Sequence, residues 1–337
     1  MKSRGFCRNK RILRFKNNIV VSLGEPSGVG AEVFLKAIYK SSLVESLDKI
    51  VVCCDPKIII RMLKKLSITL EINTITETES NYKKDCLNIL NIQKCGDYVL
   101  GSPSALNADY VVSHLEAAAK LASKNKASLV TGPINKNVIA EKYLNFSGHT
   151  DYLSNLFSSK SILMVLANPK LRVGLVTTHI PLSEVPKSIT MENIYKKGEL
   201  FAKGLNKYFG IKDPKICVLG LNPHSGEKGI IGNEEISIIS PGIELLCKNG
   251  INASGPLPAD TAFINNSFDG FLSMYHDQSL PVIKTLDFER TINVTFGLPF
   301  LRTSVDHGTA EDIANEQVAS HISMLEALKL AGNVPRI

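Results

Sequence analysis

Hydrophobic positions along this chain recur with two different spacings. Short runs rich in β-branched residues predict strands, as at residues 18–23, 128–131 and 215–219. Longer segments with apolar residues three and four apart predict helices between them, as at residues 57–66 and 191–209. Strands that alternate with helices are typical of a mostly parallel sheet with helices on both faces. The predicted fold class is therefore α/β, with a helix–sheet–helix layering.

The same reading extends over the rest of the chain. It predicts further strands at residues 49–53, 162–166, 172–177, 270–274 and 291–295, and helices at residues 31–39 and 105–123. Thr309 followed by Asp312 has the pattern of a capping box, which predicts that a C-terminal helix begins there.

Polar and glycine- or proline-rich clusters follow several of the predicted strands. They lie at residues 24–28, 131–133, 177–179, 220–224 and 274–277. In open α/β sheets, ligands bind outside the carboxyl ends of the strands. We therefore expect a functional site to be built from these clusters.

Three of the seven histidines occupy equivalent positions just after a predicted strand: His179, His224 and His276. Three imidazole ligands and one open position are typical of a catalytic zinc site. Each histidine is equally compatible with a loop position in which the backbone satisfies its ring, and spacing alone leaves both readings open. Asp277 has three possible roles, which are orienting His276, ligating a metal or capping the next helix.

Basic side chains also occur in apolar surroundings, where a cation needs an anionic partner. Arg302 offers a planar fork for an oxyanion and Lys284 offers a point charge. Asn293 lies within a predicted strand, and His149 with Thr150 forms a small polar pair after a glycine. A substrate phosphate or carboxylate is one possible partner, and a salt bridge from the basic residues to Asp306 or Asp287 is the other.

The glycine-containing turn at residues 25–30 is not a dinucleotide fingerprint. Val33 stands where GxGxxG requires its third glycine, and no Lys-Ser or Lys-Thr follows as in a P-loop. A tight turn that brings backbone close to a ligand remains compatible with these residues.

Composition narrows the class of protein. Hydrophobic residues make up 44% and charged residues 21%, as in ordinary globular proteins, and no apolar run reaches the roughly 18 residues of a membrane span. The net charge of +7 comes from an acid-free N-terminal segment with seven basic residues: Lys2, Arg4, Arg8, Lys10, Arg11, Arg14 and Lys16. The remainder is neutral, so we expect residues 1–17 to be a disordered leader and expect no nucleic-acid or membrane partner.

The seven cysteines form no CxxC pair, and several lie in apolar runs. This usage favours reduced thiols over a disulfide framework or a zinc knuckle, which predicts a cytoplasmic protein.

Taken together, the motifs resemble one family, the 4-hydroxythreonine-4-phosphate dehydrogenases of vitamin B6 biosynthesis. The similar stretches follow one another in order at residues 24–32, 131–136, 148–153, 178–182, 220–227, 255–261, 274–278 and 302–309. The resemblance extends from residue 18 to about residue 331. No single motif is specific, but their number and order are.

The resemblance implies a fold, an activity and a set of site residues. The fold is that of isocitrate and isopropylmalate dehydrogenases, with one subdomain at residues 18–140 and 297–337, a second at 141–296 that carries the histidines, and a cleft between them. The activity is NAD-linked, metal-dependent oxidation of 4-phosphohydroxy-L-threonine, followed by decarboxylation to 3-amino-2-oxopropyl phosphate. The metal ligands would be His179, His224 and His276, and the substrate-binding residues His149, Thr150, Lys284, Asn293 and Arg302. Lys284 and Asp260 would be catalytic, with Asp260 also near the nucleotide.

Three further points follow from the resemblance. The family is homodimeric with a site completed by the partner subunit, zinc is the expected metal with magnesium or cobalt as alternatives, and NADP remains possible beside NAD. A sister branch that oxidises threonate or erythronate 4-phosphate is the alternative function. The chain departs from the family pattern at Glu25, Lys228, Ser279 and Phe296, and Ser279 adds a side chain close to His276.

Overall fold

The predicted alternation of strands and helices is present in the computed structural model, which describes residues 14–76, 82–144, 146–264 and 267–335. The strands are β1 (Ile19–Ser22), β2 (Ile50–Cys53), β3 (Ile72–Ile75), β4 (Leu87–Leu90), β5 (Ser128–Thr131), β6 (Leu163–Ala167), β7 (Arg172–Leu175), β8 (Ile216–Leu219), β9 (Ala253–Leu257), β10 (Gly270–Ser273), β11 (Ile292–Phe296) and β12 (Arg302–Val305). The α-helices are α1 (Gly30–Lys40), α2 (Pro56–Leu66), α3 (Ala108–Lys124), α4 (Lys136–Ala140), α5 (His149–Leu156), α6 (Val185–Ser188), α7 (Met191–Phe209), α8 (Ser240–Lys248), α9 (Ala259–Ala262), α10 (His276–Asp287) and α11 (Ile322–Gly332).

These strands form one sheet in the order β3-β4-β2-β1-β5-β12-β11-β6-β7-β10-β8-β9. Most neighbouring strands are parallel, and the antiparallel pairs are β12 with β11, β11 with β6, and β6 with β7. The prediction of a mostly parallel α/β sheet is therefore confirmed. Because of these three antiparallel pairs, which the sequence pattern did not indicate, the parallel strands from β3 to β12 run opposite to those from β7 to β9.

Helix α7 illustrates how the sequence builds the layers. Thr190 caps its N-terminus by accepting a hydrogen bond from Asn193 N at 3.1 Å, and Gly210 ends it in the left-handed conformation with φ 71°. Phe201 and other apolar residues three and four apart form its buried face, and each large side chain contributes about 1.5–3 kcal/mol by burial. Gly204 lets the helix approach β11, because a Cβ there would lie 2.1 Å from Phe296 Cδ2.

The predicted start of the C-terminal helix at Thr309 is wrong. Thr309 Oγ1 donates to Glu311 Oε1 at 2.5 Å, and the Thr309 carbonyl accepts from Val29 N at 3.0 Å. The loop around Thr309 therefore binds the turn that precedes α1, and helix α11 begins only at Ile322. The capping-box pattern failed because a tertiary contact uses the same groups.

Residues 1–13 of the predicted leader lie outside the described residues, whereas its end does not. Phe15 is buried against Gly332, and the amides of Lys16 and Asn17 donate to the Gly332 carbonyl at 2.7 and 3.0 Å. The described chain is thus packed against α11 from before the predicted start at residue 18. Cys54, Cys86, Cys95, Cys217 and Cys247 are free thiols, in line with the prediction, and Cys7 lies outside the described residues. No helix in the described ranges is both long and apolar enough to cross a bilayer.

Candidate active site

The central strands place a row of polar side chains on one face of the sheet. Thr295 on β11 pairs with Arg302 on β12 and with Met164 on β6. Asn293 pairs with Ser304 one pleat further along, and residues two apart on a strand point to the same face. Met164, Asn293, Arg302 and Ser304 line a cavity of about 300 Å³ over the antiparallel centre of the sheet.

Arg302 is the strongest sign of an anionic ligand in this cavity. Its guanidinium is fully buried and hydrogen-bonds only to hydroxyls, those of Thr131 at 2.9 and 3.2 Å, Thr295 at 3.0 Å and Thr150 at 3.3 Å. None of the described carboxylates pairs with it, and burial lowers the pKa of Arg302 to about 10. A buried cation without a counter-ion is costly, so the arrangement favours binding of an oxyanion.

His149 and Thr150 stand at the N-terminus of α5 beside this guanidinium. Gly148 precedes them with φ 146°, a conformation that side chains rarely adopt. Burial, together with the charges of Arg302 and Lys136, lowers the pKa of His149 well below its usual value, so the ring is neutral. His149 Nε2 is buried and has no hydrogen-bond partner among the residues that the structure describes. A neutral imidazole nitrogen can donate to a phosphate oxygen there.

Two further buried polar atoms of the cavity lack partners in the described residues. They are Asn293 Oδ1, which the sequence predicted as a substrate contact, and His307 Nε2, which it did not. Buried polar atoms are rarely left unpaired in folded proteins. Three such atoms around one cavity indicate that it is shaped for a polar ligand.

Lys284 pairs with Asp306, one of the two aspartates that the sequence offered as salt-bridge partners. Lys284 Nζ lies 3.0 Å from Asp306 Oδ2, and the Asp306 carboxylate lines the cavity. Burial raises the pKa of Asp306, while the Lys284 ammonium acts against that rise. The structure thus supplies a lysine–carboxylate pair able to hold or pass on a proton at the edge of the cavity.

Two of the three predicted metal ligands lie together. The His179 and His276 rings have centroids 5.6 Å apart. Burial and the charge of Lys136 lower the pKa of His179, which favours the neutral imidazole that a metal requires. These two rings have the donor chemistry of a zinc site, but no group of three or more potential ligand side chains comes together in the described part of the chain. His224 is not brought into one ligand set with the other two.

His224 instead lies in a strained turn beside a second cavity. Residues 224–228 all have positive φ, between 45° and 77°, which costs about 1–2 kcal/mol for each residue with a side chain. The second cavity, of about 440 Å³, is lined by His224, Asp260, Tyr275 and Asp277 among others. Strain of this kind is concentrated at functional sites. Asp260 is thus placed next to the turn that carries His224, on α9.

Asp277 and Ser279 can now be assigned contacts. Asp277 Oδ2 lies 3.3 Å from His276 Nδ1, which fits an orienting role. Ser279, a departure from the family pattern, is buried and hydrogen-bonds to the Ser273 hydroxyl on β10. The Ser279 side chain is therefore directed to strand β10 by this hydrogen bond and does not obstruct His276.

The other departures are also accommodated. Glu25 is buried and accepts from Ser27 N at 3.2 Å and from Ser27 Oγ at 2.7 Å, while burial raises its pKa. Lys228 takes a left-handed conformation, φ 56°, in which the family's glycine would be unstrained. Phe296 packs in the core on Tyr208.

The sequence reading missed two lysines that line the main cavity, Lys136 and Lys197. Lys136 lies three residues after the polar cluster at residues 131–133 that follows β5, so its position near a strand end was a usable signal. Lys197 lies on the buried side of α7, three residues after Ile194 and four before Phe201, where a lysine is unusual.

Comparison with known proteins agrees with this geometry. A family model described as "Pyridoxal phosphate biosynthetic protein PdxA" matches residues 46–331. The 4-hydroxythreonine-4-phosphate dehydrogenase of Sulfurihydrogenibium sp. is 40% identical, covering 95% of this chain and 98% of that protein.

Solved structures of the same enzyme are similar over nearly the whole chain. That of Klebsiella pneumoniae has a TM-score of 0.83 at 31% identity, covering 94% of this chain and 98% of the other. That of Burkholderia phymatum has a TM-score of 0.81 at 34% identity, covering 95% and 99%. The chain therefore belongs to the PdxA family of pyridoxal phosphate biosynthetic proteins, and within it resembles the dehydrogenases.

Proposed function

We propose that this protein oxidises 4-phosphohydroxy-L-threonine with NAD and a divalent metal ion, and decarboxylates the resulting β-keto acid to 3-amino-2-oxopropyl phosphate. The observation that carries the proposal is the fully buried, carboxylate-free guanidinium of Arg302 facing a cavity of about 300 Å³. A phosphorylated substrate supplies the anion that this group lacks. The curated relatives bear the name of this activity.

The phosphate is held at the Arg302 end of the cavity. Thr150 Oγ1 already contacts the guanidinium at 3.3 Å, and His149 Nε2 is free to donate a hydrogen bond. These groups are fixed by the sheet and by α5, so they orient the substrate before reaction. Asn293 Oδ1 accepts a hydrogen bond from a hydroxyl or an amine of the bound molecule.

The metal would be held by His179 and His276, with His224 as the third ligand. When bound, it polarises the substrate hydroxyl and stabilises charge on that oxygen. The neutral state of His179 fits this role, and so does the proximity of the two rings. Zinc suits imidazole donors best, while magnesium and cobalt remain alternatives.

The second cavity, which Asp260 lines, would hold the nucleotide. A carboxylate is a suitable acceptor for ribose hydroxyls, as in other dinucleotide sites. NAD, or NADP, would supply the hydride acceptor for the substrate carbon that bears the hydroxyl. Asp306 accepts the hydroxyl proton, and the Lys284–Asp306 pair returns a proton to the carbon that loses CO2.

A second copy of the chain completes the site. Exposed apolar side chains flank the histidines, and Ile180 and Leu182 follow His179 with exposures of 38% and 69%. Ile230, 84% exposed, follows the strained turn of His224. Apolar residues exposed around a site indicate a covering partner. A homodimer also explains why His224 is not brought together with the other two histidines in one chain.

Product analysis tests the proposal. Incubation with 4-phosphohydroxy-L-threonine, NAD and zinc is expected to yield NADH, CO2 and 3-amino-2-oxopropyl phosphate in equal amounts, as measured by absorbance and mass spectrometry. NADH formation without CO2 would contradict the decarboxylation step. A parallel reaction with erythronate 4-phosphate tests the sister activity, for which we expect a lower kcat/KM, because Asp151 beside the cavity suits a substrate ammonium.

A further inference from the structure

Lys197 projects from the buried side of α7 into the same cavity as Arg302. Its ammonium donates to the Ile162 carbonyl, its single hydrogen-bond partner in the described chain, and no described carboxylate pairs with it. Burial lowers the pKa of Lys197, with no neighbouring charge acting to raise it. A lysine in this state is a cation whose desolvation is only partly compensated.

Lys36 is a buried lysine with a structural role, and its contacts differ from those of Lys197. Lys36 Nζ lies 2.6 Å from Glu32 Oε1 and donates to the carbonyls of Gln317 at 2.7 Å and Ala319 at 3.1 Å. All three of its donor positions are therefore used, and its charge is neutralised. Lys197 has one carbonyl only and opens into a cavity, so two of its three donors are available to a ligand.

The register of the sheet connects the surroundings of Lys197 with those of Arg302. Ile162, which binds the Lys197 ammonium, immediately precedes β6, and Met164 is two residues further on, about 7 Å along the strand. Met164 pairs with Thr295, whose hydroxyl accepts from the Arg302 guanidinium at 3.0 Å. The two cations thus line the same cavity, Lys197 from the helix and Arg302 from the sheet.

We propose that Lys197 is a further anion-binding residue, which together with Arg302 makes this cavity selective for a doubly charged phosphate group. The inference rests on the proposed phosphate end of the active site and adds a specificity-determining side chain to it. On binding, the Lys197 ammonium turns from the Ile162 carbonyl to a phosphate oxygen. A singly charged carboxylate at this end would leave one of the two cations uncompensated, so it binds less well.

Calorimetric titration with inorganic phosphate tests the proposal without requiring turnover. The variants are Lys197→Met, Lys197→Gln, which keeps a donor for the carbonyl, and Lys197→Arg, which keeps the charge. Lys203→Met is the matched control, since Lys203 lies on the same helix with a 68% exposed side chain and pairs with Glu199. We expect the Met and Gln variants to bind phosphate roughly 10- to 100-fold more weakly. The Arg variant and the control should stay close to wild type.

A second readout separates binding from structure. Because Lys197 is half-buried and no described carboxylate pairs with it, the Met variant should unfold at the same temperature as wild type or a higher one. Phosphate binding by Lys197→Met and Lys197→Gln equal to that of the control would overturn the inference. If Arg302→Met still abolished binding in that case, the proposed function would be unaffected. The inference would also be overturned if Lys197→Gln bound inorganic phosphate more weakly but kept the wild-type KM for the phosphorylated substrate and the wild-type preference for phosphate over carboxylate.

Discussion

Replacing Arg302 with methionine should separate activity from stability in this protein. The substitution removes a fully buried guanidinium and keeps an unbranched side chain of similar reach. In the free protein it removes four hydrogen bonds to threonine hydroxyls, but it also removes the cost of burying an unpaired cation. These contributions have opposite signs and similar size, several kcal/mol each, so we expect the free energy of unfolding to change by less than about 2 kcal/mol.

Activity should respond very differently. A phosphate at this position receives about two charge-assisted hydrogen bonds from the guanidinium, each contributing roughly 1.5–3 kcal/mol. Their loss lowers kcat/KM by roughly 100- to 10,000-fold, since each 1.4 kcal/mol corresponds to a factor of ten. Steady-state kinetics and urea unfolding measure the two quantities on the same preparation.

Arg290→Met is the control for this experiment. Arg290 is exposed and pairs with Asp287 at 2.7 Å, so its replacement should leave both quantities almost unchanged. The reasoning is refuted if Arg302→Met keeps most of the wild-type kcat/KM. It is equally refuted if the variant loses several kcal/mol of stability while KM is unaltered, because Arg302 would then be a structural residue.

Three further predictions follow from other contacts. Glu32→Gln leaves the Lys36 ammonium buried without its carboxylate, so urea unfolding should show a loss of about 3–5 kcal/mol, most of which the double methionine variant should recover. His149 is neutral when folded and protonates near pH 6.5 when unfolded, so the free energy of unfolding should fall as pH decreases below about 6.5. His149→Gln should reduce this pH dependence, and an unchanged slope between pH 7.5 and 5.5 would contradict the assignment. If the dimer shares its metal site, mixing refolded His179→Ala and His224→Ala chains should restore activity that neither has alone, and no recovery on mixing would place both ligands on one chain.

The sequence predicted the helices and strands well where burial of one face alone determines the pattern of apolar residues. The strand runs and the amphipathic spacing of residues 191–209 gave element positions close to those observed, because burial of one face sets both patterns. The failure at Thr309 has a different cause. Its hydroxyl and carbonyl bind Glu311 and Val29, and a contact with a residue 280 positions away leaves no trace in the local pattern.

The site was predictable in part for the same reason. Arg302 and Asn293 lie in strands and His149 begins α5 after a glycine, and these features indicated ligand contacts that the cavity geometry supports. The partner of Lys284 could only be narrowed to two aspartates, and the fold selects Asp306. Lys197 was missed because a lysine within a helix resembles a surface residue until the packing of α7 is known.

The most direct test of the central claim is the rate of NADH formation from 4-phosphohydroxy-L-threonine with and without a metal chelator. We expect turnover with zinc supplied, loss of the rate on chelation, and its return when zinc is added back. Erythronate 4-phosphate under the same conditions should react more slowly. No turnover on either substrate with metal present would contradict the proposed function, and a rate that chelation does not alter would contradict the role of His179, His224 and His276.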